Sequence, residues 1–427
     1  MRILWIVNKP VGGLHVYLFN KPATGGLWME AMIDRIVDDQ EVDLVVVNVD
    51  NIKSIRRIEV NGVCYYTIPG NNNDKYDYKS LQARSYWKYI LEKEKPDLIE
   101  LWGTEMPIGI PALDVAGDIP AVVYVQGILE SIGKYYTAGM TTKELKKARS
   151  FRDVMTRSTI HQRQKAYLKR AQLEAQIISR CKNIIIENKW AEAYNKKNCA
   201  DVAVHWCPLS ISSAFNEAAW SMEKVKRYTI MCPAANYPIK GLHMLLKAIA
   251  IVKNKYPNIH LFIPGTPLKD NMSFKDCLKQ NGYEKFIRSQ INALRIGENV
   301  HYTGRLTAEE MAKKMSESHV FVMSSAIENH SSTLKEAMTV GVPCVSSYVG
   351  GVPEYAKHRE NCLIYRFEDY EVLAQEIMSL FESDDLCQLI SQNASEMMHN
   401  FKQNNDFYKI SKEIYKRIID QNKQATD

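Results

Sequence analysis

The sequence lacks the two glycine patterns that most often bind nucleotides. No two of its 20 glycines stand two residues apart, so there is no Gly-x-Gly-x-x-Gly fingerprint, and there is no P-loop either. It also has no Asp-x-Asp pair, which argues against a metal-chelated diphosphate. Any diphosphate would therefore be bound by lysine, arginine and helix N-termini.

Paired cysteines and long apolar runs are also missing. The nine cysteines are scattered without a Cys-x-x-Cys pair, and several lie within apolar runs, where cysteine packs as a small hydrophobic residue. This usage is typical of a reducing cytosol.

No apolar run approaches the roughly 20 residues of a membrane helix. The start, Met1–Val7, resembles a first strand more than a cleavable signal. We expect a cytoplasmic protein, soluble or at most peripheral at the inner face of the cell membrane.

What is present is typical of a globular protein larger than one hydrophobic core. The chain has 427 residues, of which 46% are hydrophobic and 24% are charged. This length makes two domains the default. The net charge of +6 is modest and does not by itself indicate nucleic-acid binding.

Buried strands followed by helices occur in two series. A continuous apolar strand, a loop, a helix and a second such strand indicate a parallel sheet covered on both faces. We predict two such α/β domains, residues 1–210 and 211–403. The predicted strands cover residues 2–7, 42–49, 63–68, 97–101, 121–125, 183–187, 228–232, 260–265, 300–304, 321–323 and 343–347.

The most informative stretch runs from residue 322 to residue 354. A strand ends near Met323, and Glu328 follows it, eight residues before Glu336. Between the two glutamates lie small polar residues, and a helix is predicted to begin near Leu334. Free N–H groups and the positive dipole end of a helix N-terminus suit an anion. Carboxylates accept hydrogen bonds from sugar hydroxyls, so the stretch offers groups for both phosphate and carbohydrate.

The stretch continues with Gly341-x-Pro343 and Gly350-Gly351-x-Pro353-Glu354, and the chain also contains Tyr237-Pro238-Ile239-Lys240-Gly241 and Gly25-Gly26. Together with Glu328-x7-Glu336, these motifs resemble glycosyltransferase family 4, whose members are retaining enzymes with the GT-B fold and use nucleotide sugars. The resemblance covers nearly the whole chain. It implies two Rossmann-like domains that face a cleft, with 404–427 crossing back to the first domain. Gln126-Gly127, in place of a more common His-Gly, is similar to a bacterial surface-polysaccharide subgroup.

The resemblance implies a role for each matching residue. Glu336 would bind the ribose hydroxyls, Glu328 would contact the donor sugar, and Lys240 would neutralise the leaving phosphate. Gln126 would serve catalysis and, with Gly127, the acceptor. The remaining donor-binding residues implied are Gly25, Gly26, Arg305, Asn329, His330, Ser331, Ser332, Thr333 and Leu334.

Two departures from the family pattern concern charge and loop shape. Ala234 and Ala235 stand where many relatives have an arginine, which removes one cation from the leaving group. Asn329, His330 and Ser331 replace glycines that usually lie between the two glutamates.

The function implied is transfer of a sugar from UDP-sugar or GDP-sugar to a hydroxyl of a glycan or lipid-linked acceptor, with retention and without metal or cofactor. Capsule, exopolysaccharide and cell-wall synthesis are the settings implied. The departures leave open a catalytically degenerate partner or binding subunit. A GT-B sugar-nucleotide epimerase is a further alternative.

Each residue also has a simpler interpretation. Glu336 is also explained as a carboxylate stabilised near a helix N-terminus. Lys240 is also explained as a solvated lysine, and Gly350-Gly351 as a plain turn. Gln126 is also explained as a group that completes a strand end, and His330 as a polar loop residue. The combination of these motifs in the right order favours the functional interpretation.

Residues 134–182 contain thirteen Lys and Arg but only three acidic residues. One interpretation is a solvated helix face. The other is attraction to anionic lipid or to a diphosphate-linked lipid acceptor at a membrane surface. The face would combine Lys143, Lys146, Lys147, Arg149 and Arg152 with Leu145, Phe151, Val154 and Met155.

Overall fold

A computed structural model describes residues 1–20, 27–71, 76–268 and 273–426. Its strands, in chain order, are β1 Arg2–Val7, β2 Asp43–Asp50, β3 Arg56–Val60, β4 Val63–Pro69, β5 Leu98–Trp102, β6 Ala121–Tyr124, β7 Asn183–Ile186, β8 Ala203–Trp206, β9 Lys226–Met231, β10 His260–Ile263, β11 Val300–Tyr302, β12 Ser318–Met323, β13 Cys344–Ser347 and β14 Leu363–Tyr365.

The helices are α1 Gly12–Phe19, α2 Leu27–Asp39, α3 Leu81–Glu94, α4 Ile110–Val115, α5 Leu129–Tyr135, α6 Thr142–Lys147, α7 Phe151–Met155, α8 Ile160–Cys181, α9 Lys189–Asn198, α10 Ala214–Glu217, α11 Leu242–Lys255, α12 Phe274–Lys279, α13 Gly282–Leu294, α14 Ala308–Glu317, α15 Ser332–Val340, α16 Tyr370–Glu382, α17 Asp384–Asn404 and α18 Phe407–Thr426. Among the described residues, none of these helices has both the length and the hydrophobicity needed to cross a membrane.

The chain divides into two compact units. Unit 1 comprises Met1–Glu130, Leu168–Ser210 and Asn404–Asp427, and unit 2 comprises Ser131–Tyr167 and Ile211–Gln403. Residues 131–167, which the sequence analysis assigned to the first domain, therefore group with unit 2.

Unit 1 is built on a sheet whose order in the described residues is β3-β4-β2-β1-β5-β6-β7-β8. All of its pairings are parallel except that of β3 with β4. The central strands are buried on both faces, and separate apolar clusters cover the two sides. Burial on both faces explains their continuous apolar sequences.

Unit 2 repeats the architecture with the order β11-β10-β9-β12-β13-β14, and every pairing is parallel. A single apolar cluster extends through this unit. The fold-class prediction of two parallel-sheet α/β units is thus confirmed.

The predicted elements omit strands β3, β8 and β14 and one short helix. The stretch after β1 was expected to be a loop, but Gly12–Phe19 forms α1, which buries Leu14. The helix was not predicted because it begins with two glycines, which have a low helix propensity. Strand β3 was missed because its sequence, Arg-Arg-Ile-Glu-Val, is charged, as suits an antiparallel edge strand. Strand β8 was missed because it is a four-residue edge strand whose residues are mostly exposed or half-buried. Strand β14 was missed because it is only three residues long.

Helix α18 packs within unit 1 against the sheet. The Tyr415 hydroxyl donates a hydrogen bond to the carboxylate of Glu100 in β5, and both residues are fully buried. Burial raises the pKa of Glu100 to about 8, and the bond from Tyr415 opposes this rise. The half-buried Lys412 of α18 also forms ion pairs with Asp39 and Glu41. A buried polar bond therefore fixes the C-terminal helix to the first sheet.

We expect Tyr415→Phe to destabilise unit 1 by about 1–3 kcal/mol, because it leaves the Glu100 carboxyl buried with one partner fewer. The measurement is chemical denaturation followed by circular dichroism. Lys416→Ala is the control, since that residue forms an exposed pair with Glu41 and should change stability by less than about 0.5 kcal/mol. Equal effects of the two substitutions would contradict this account.

Candidate functional site

Three loops leave the carboxyl edge of the second sheet side by side. They follow β9, β12 and β13, which are neighbours in the strand order. Ligands of parallel α/β sheets bind at this edge. The first loop carries Lys240, the second Glu328 and the third Gly350-Gly351. The fold therefore brings together motifs that are separated by more than a hundred residues in the sequence.

Lys240 and Glu328 form a partly buried ion pair. The Lys240 Nζ lies 2.5 Å from Oε1 of Glu328, and the side chains are 24% and 13% exposed. The hydroxyl of Ser325 donates to the same oxygen at 2.6 Å. Burial acts to lower the pKa of Lys240, but the Glu328 carboxylate outweighs it and raises that pKa. The lysine is thus held as a cation at the sheet edge.

Gly241 allows the lysine loop to approach the glutamate loop. It has a φ of +70°, and a Cβ atom there would lie 1.6 Å from the carbonyl oxygen of Ser324. The Ser324 hydroxyl donates to the Lys240 carbonyl oxygen at 3.2 Å, and the Ala326 N–H donates to that of Ile239 at 2.7 Å. Only glycine fits this position, which accounts for the Lys-Gly pair.

Gly350 has the same function on the other side of the glutamate loop. Its φ is +53°, and a Cβ atom there would lie 1.8 Å from the carbonyl oxygen of Glu328. The N–H of Gly351 donates to the carbonyl oxygens of Glu328 at 3.3 Å and Asn329 at 3.1 Å. The Gly-Gly turn therefore supports the backbone that carries Glu328.

Helix α15 begins beside this loop, at Ser332, two residues earlier than predicted. Ser331 is its N-cap, and its hydroxyl accepts from the N–H of Leu334 at 3.3 Å. The Leu334 side chain is fully buried, so it belongs to the core. Ser332 and Thr333 are half-buried in the first turn. The helix N-terminus, which is the positive end of the helix dipole, thus begins four residues after Glu328 in the chain.

Glu336 lies one turn into α15 and is half-buried. Burial raises its pKa to about 7, and the neighbouring Lys335 opposes this rise. A carboxyl with this pKa changes its charge near neutrality.

Lys335 is a buried cation that the sequence analysis did not single out. It is 2% exposed, its Nζ lies 3.1 Å from Nδ1 of His330, and it stands 5.6 Å above the ring of Phe401. His330 also packs edge-on against Tyr355 at 4.8 Å. An ammonium can only donate, so Nδ1 of His330 accepts and the neutral ring carries its hydrogen on Nε2. Lys335 lies three residues before the core residue Met338, so the two share one face of α15. This spacing is the sequence signal for the burial of Lys335.

Of the other predicted site residues, those that the structure describes lie outside these three loops. Arg305 is exposed in the loop after β11, and Ala235 is buried. Gln126 and Gly127 follow β6 in unit 1 and are half-buried. Gly25 and Gly26 lie outside the described residues. Within the described ranges, no three His, Cys, Asp or Glu residues are grouped as metal ligands.

We expect Gly350→Ala to lower the melting temperature clearly more than Gly62→Ala. Both glycines have a positive φ, but nothing lies within 4 Å of a Cβ atom at Gly62. The backbone cost of roughly 1–2 kcal/mol is therefore common to both variants. The clash with Glu328 is specific to Gly350. Equal shifts in a thermal melt would show that the turn does not support the glutamate loop.

The raised pKa of Glu336 makes stability depend on pH. The folded protein binds the proton of the Glu336 carboxyl more tightly than the unfolded chain does. The contribution of this proton to the free energy of unfolding is therefore complete below about pH 4.5 and is lost as the pH rises through about 7. Glu336→Gln removes the charge and keeps the shape. Its stability relative to wild type should rise between pH 5 and pH 8, by roughly 3 kcal/mol at most.

Thermal melts at several pH values measure this difference. The control is Glu360→Gln, which alters an exposed glutamate of the same unit and should show no such trend. A difference between Glu336→Gln and wild type that stays constant with pH would contradict the assignment.

Comparison with known proteins extends these observations. Residues 216–397 match the family model described as Glycosyl transferases group 1. The N-acetyl-alpha-D-glucosaminyl L-malate synthase of Bacillus anthracis is 26% identical over 109 residues, which is 26% of this chain and 28% of that protein. The putative colanic acid biosynthesis glycosyltransferase WcaL of Escherichia coli K12 is 25% identical over 173 residues, 38% of this chain and 39% of that protein. The chain thus spans 28–39% of the length of these curated relatives.

Similarity to solved structures covers the whole chain. The crystal structure of Anabaena HepE in complex with UDP and glucose has a TM-score of 0.65 at 16% identity, over 98% of this chain and 99% of that one. Sucrose-phosphate synthase from Thermosynechococcus elongatus has a TM-score of 0.66 at 15% identity, over 100% and 98%. The chain therefore has the two-domain fold of the GT-B glycosyltransferases, and its residues 216–397 match the group 1 family.

Proposed function

We propose that this protein is a retaining glycosyltransferase of family 4. It transfers a sugar from a UDP-sugar or GDP-sugar to a hydroxyl of a glycan or lipid-linked acceptor. The setting we propose is bacterial polysaccharide synthesis, in the cytoplasm and at the inner face of the membrane.

The observation that carries the proposal is the ion pair of Lys240 and Glu328 at the carboxyl edge of the second sheet. A cation, a carboxylate and a helix N-terminus occur together there. A nucleotide sugar has the matching groups, since its diphosphate needs cations and N–H donors and its sugar offers hydroxyls. Glu336, on the same helix, adds a second carboxylate.

The proposed reaction uses these groups for positioning and charge stabilisation. The acceptor hydroxyl attacks the anomeric carbon on the face that the diphosphate leaves. The bond from that carbon to the diphosphate oxygen breaks, its electron pair stays on this oxygen, and the acceptor proton passes to the diphosphate. Lys240 and the N-terminus of α15 stabilise the charge that develops there, with no metal ion assigned.

Two carboxylates and a histidine complete the donor assignment. Glu328 accepts from the donor-sugar hydroxyls, and Glu336 accepts from the ribose hydroxyls in its ionised form. His330, fixed by Lys335, presents its Nε2–H as a donor. We assign Asn329, Ser331, Ser332, Thr333 and the backbone of Leu334 to the diphosphate and sugar, with Arg305, Gly25 and Gly26 as further donor contacts.

The comparisons support the donor class and, more weakly, the setting. HepE, which has the same fold, was crystallised with UDP and glucose. WcaL, which matches part of the chain, carries a name from colanic acid biosynthesis. We assign the acceptor to unit 1, at Gln126 and Gly127 after β6.

One observation favours a second candidate, a degenerate protein that binds without catalysis. Relatives commonly have an arginine where this chain has Ala234 and Ala235, and Ala235 is buried. In that case the site would bind a nucleotide or a glycan as a partner subunit. A sugar-nucleotide epimerase is the third candidate, and it would act without an acceptor.

The first experiment is a thermal-shift screen over UDP-sugars and GDP-sugars, since a ligand of the folded state raises its melting temperature. The best donor is then used in a transfer assay. We expect Glu328→Ala to reduce transfer at least 100-fold, in the range seen for lost transition-state contacts. Glu336→Ala should weaken nucleotide binding by roughly 10- to 100-fold, through one lost charge-assisted interaction. In wild type, nucleotide binding should strengthen as the pH rises through about 7.

Glu360→Ala, an exposed glutamate of unit 2, is the matched control and should behave as wild type. Wild-type transfer by both Glu328→Ala and Glu336→Ala would reject the site assignment. Nucleotide binding with neither transfer nor epimerisation would favour the degenerate protein. Epimerised sugar released without acceptor would favour the epimerase.

A further inference from the structure

Helix α7, Phe151–Met155, exposes its apolar residues and buries its acidic residue, which is the reverse of a normal surface helix. Its apolar residues Phe151, Val154 and Met155 are 60%, 55% and 67% exposed, whereas its acidic residue Asp153 is 4% exposed. Positions i, i+3 and i+4 lie on one face of a helix, so the three apolar side chains form one outward stripe. Burial normally favours the reverse arrangement.

The buried aspartate holds this orientation. Its Oδ2 accepts from the N–H of Gly282, at the start of α13, at 2.6 Å. Its own N–H donates to the hydroxyl of Ser150 at 3.2 Å. Gly282 is tightly packed, since a Cβ atom there would lie 1.8 Å from the carbonyl oxygen of Ala148. The apolar stripe is therefore held outward by contacts on the opposite side of the helix.

Cations surround the stripe. Lys143, Lys146, Lys147, Arg149, Arg152 and Arg157 are all exposed. The acidic residues of α6 and α7, Glu144 and Asp153, each have partners within unit 2. Glu144 pairs with Lys247 at 3.1 Å, and Asp153 is buried, with its Oδ2 bonded to Gly282 and its Oδ1 4.0 Å from Arg152. Within the described part of the chain, Lys146, Lys147 and Arg149 have no acidic partner within ion-pair distance. The outer surface is thus cationic and apolar at once.

We propose that this α6–α7 face, Lys146, Lys147, Arg149, Phe151, Arg152, Val154 and Met155, binds the surface of a membrane that contains anionic phospholipid. The cations complement the headgroup charge, and the three apolar side chains enter the interface. A nucleic acid would be bound by the cations but offers nothing to Val154 and Met155. Leu145, included in the face predicted from the sequence, is half-buried and packs against the core of unit 2, so it is left out.

The inference extends the proposed location of the enzyme at a membrane, and in that respect it rests on the proposed function. The experiment uses neither a nucleotide sugar nor an acceptor. Failure of lipid binding and failure of transfer are therefore separate results.

The experiment is vesicle flotation of the full chain with phosphatidylcholine alone and with 30% phosphatidylglycerol added, at low and at physiological salt. We expect binding only to the anionic vesicles, weakened by salt. The apolar variant is Phe151→Ser with Val154→Ser and Met155→Ser. The charge variant is Lys146→Glu with Lys147→Glu and Arg149→Glu. Each should reduce the bound fraction at least tenfold.

The matched control is Lys53→Glu with Lys224→Glu and Lys313→Glu, which makes the same change of net charge at exposed lysines of other segments. All variants change exposed side chains, so their melting temperatures should stay near that of wild type. The proposal is overturned if wild type ignores anionic vesicles, or if the control reduces binding as much as the charge variant. It is also overturned if the apolar variant binds as wild type, or if the chain binds a DNA duplex and no vesicles.

Discussion

The ion pair of Lys240 and Glu328 is the interaction on which the rest of the site depends. Two charges come together at 2.5 Å because two glycines let three loops approach one another. Gly241 gives space to the carbonyl of Ser324, and Gly350 to that of Glu328 itself. The positions of both charged groups are therefore set by backbone packing at the sheet edge.

The surroundings of this pair concentrate charge that is only partly exposed to water. Lys335 is buried beside His330, and Glu336 has its pKa raised to about 7 by burial. Electrostatic interactions are stronger in such a partly buried site than in water. A site of this kind suits a ligand with its own charges, such as the diphosphate we propose. Lys335 also places a cation on the helix that follows Glu328. This cation is present in a chain where Ala234 and Ala235 occupy the positions at which the family resemblance implies an arginine.

Much of the architecture was predictable from the sequence because strands that are buried on both faces are continuously apolar. Strands β1, β2, β6, β12 and β13 were found in this way. Strand β3 was not, since its alternating charged residues lie at an edge. The contact between Lys240 and Glu328 could be expected only through the family resemblance, because nothing local in the sequence pairs residues so far apart. The assigned roles of these residues remain predictions.

Burial of charge was the feature hardest to predict. Lys335 and Asp153 are charged residues in short helices, where exposure is the normal expectation. Each is buried because of a partner from elsewhere in the chain, Phe401 for Lys335 and the N–H of Gly282 for Asp153. For Asp153 the consequence reaches the surface, since burying it turns the apolar residues of α7 outward. From the sequence, the same segment suggested cations and apolar residues on one face but did not show that Asp153 is buried or that Leu145 packs into the core.

The most direct test of the central claim is calorimetric titration of UDP and of GDP into wild type and into Lys240→Met near pH 7.5. The account predicts that one of the nucleotides binds wild type and that Lys240→Met weakens this binding at least tenfold. Glu360→Ala should bind as wild type. Binding of neither nucleotide, or equal binding by Lys240→Met, would contradict the assignment of this site to a nucleoside diphosphate.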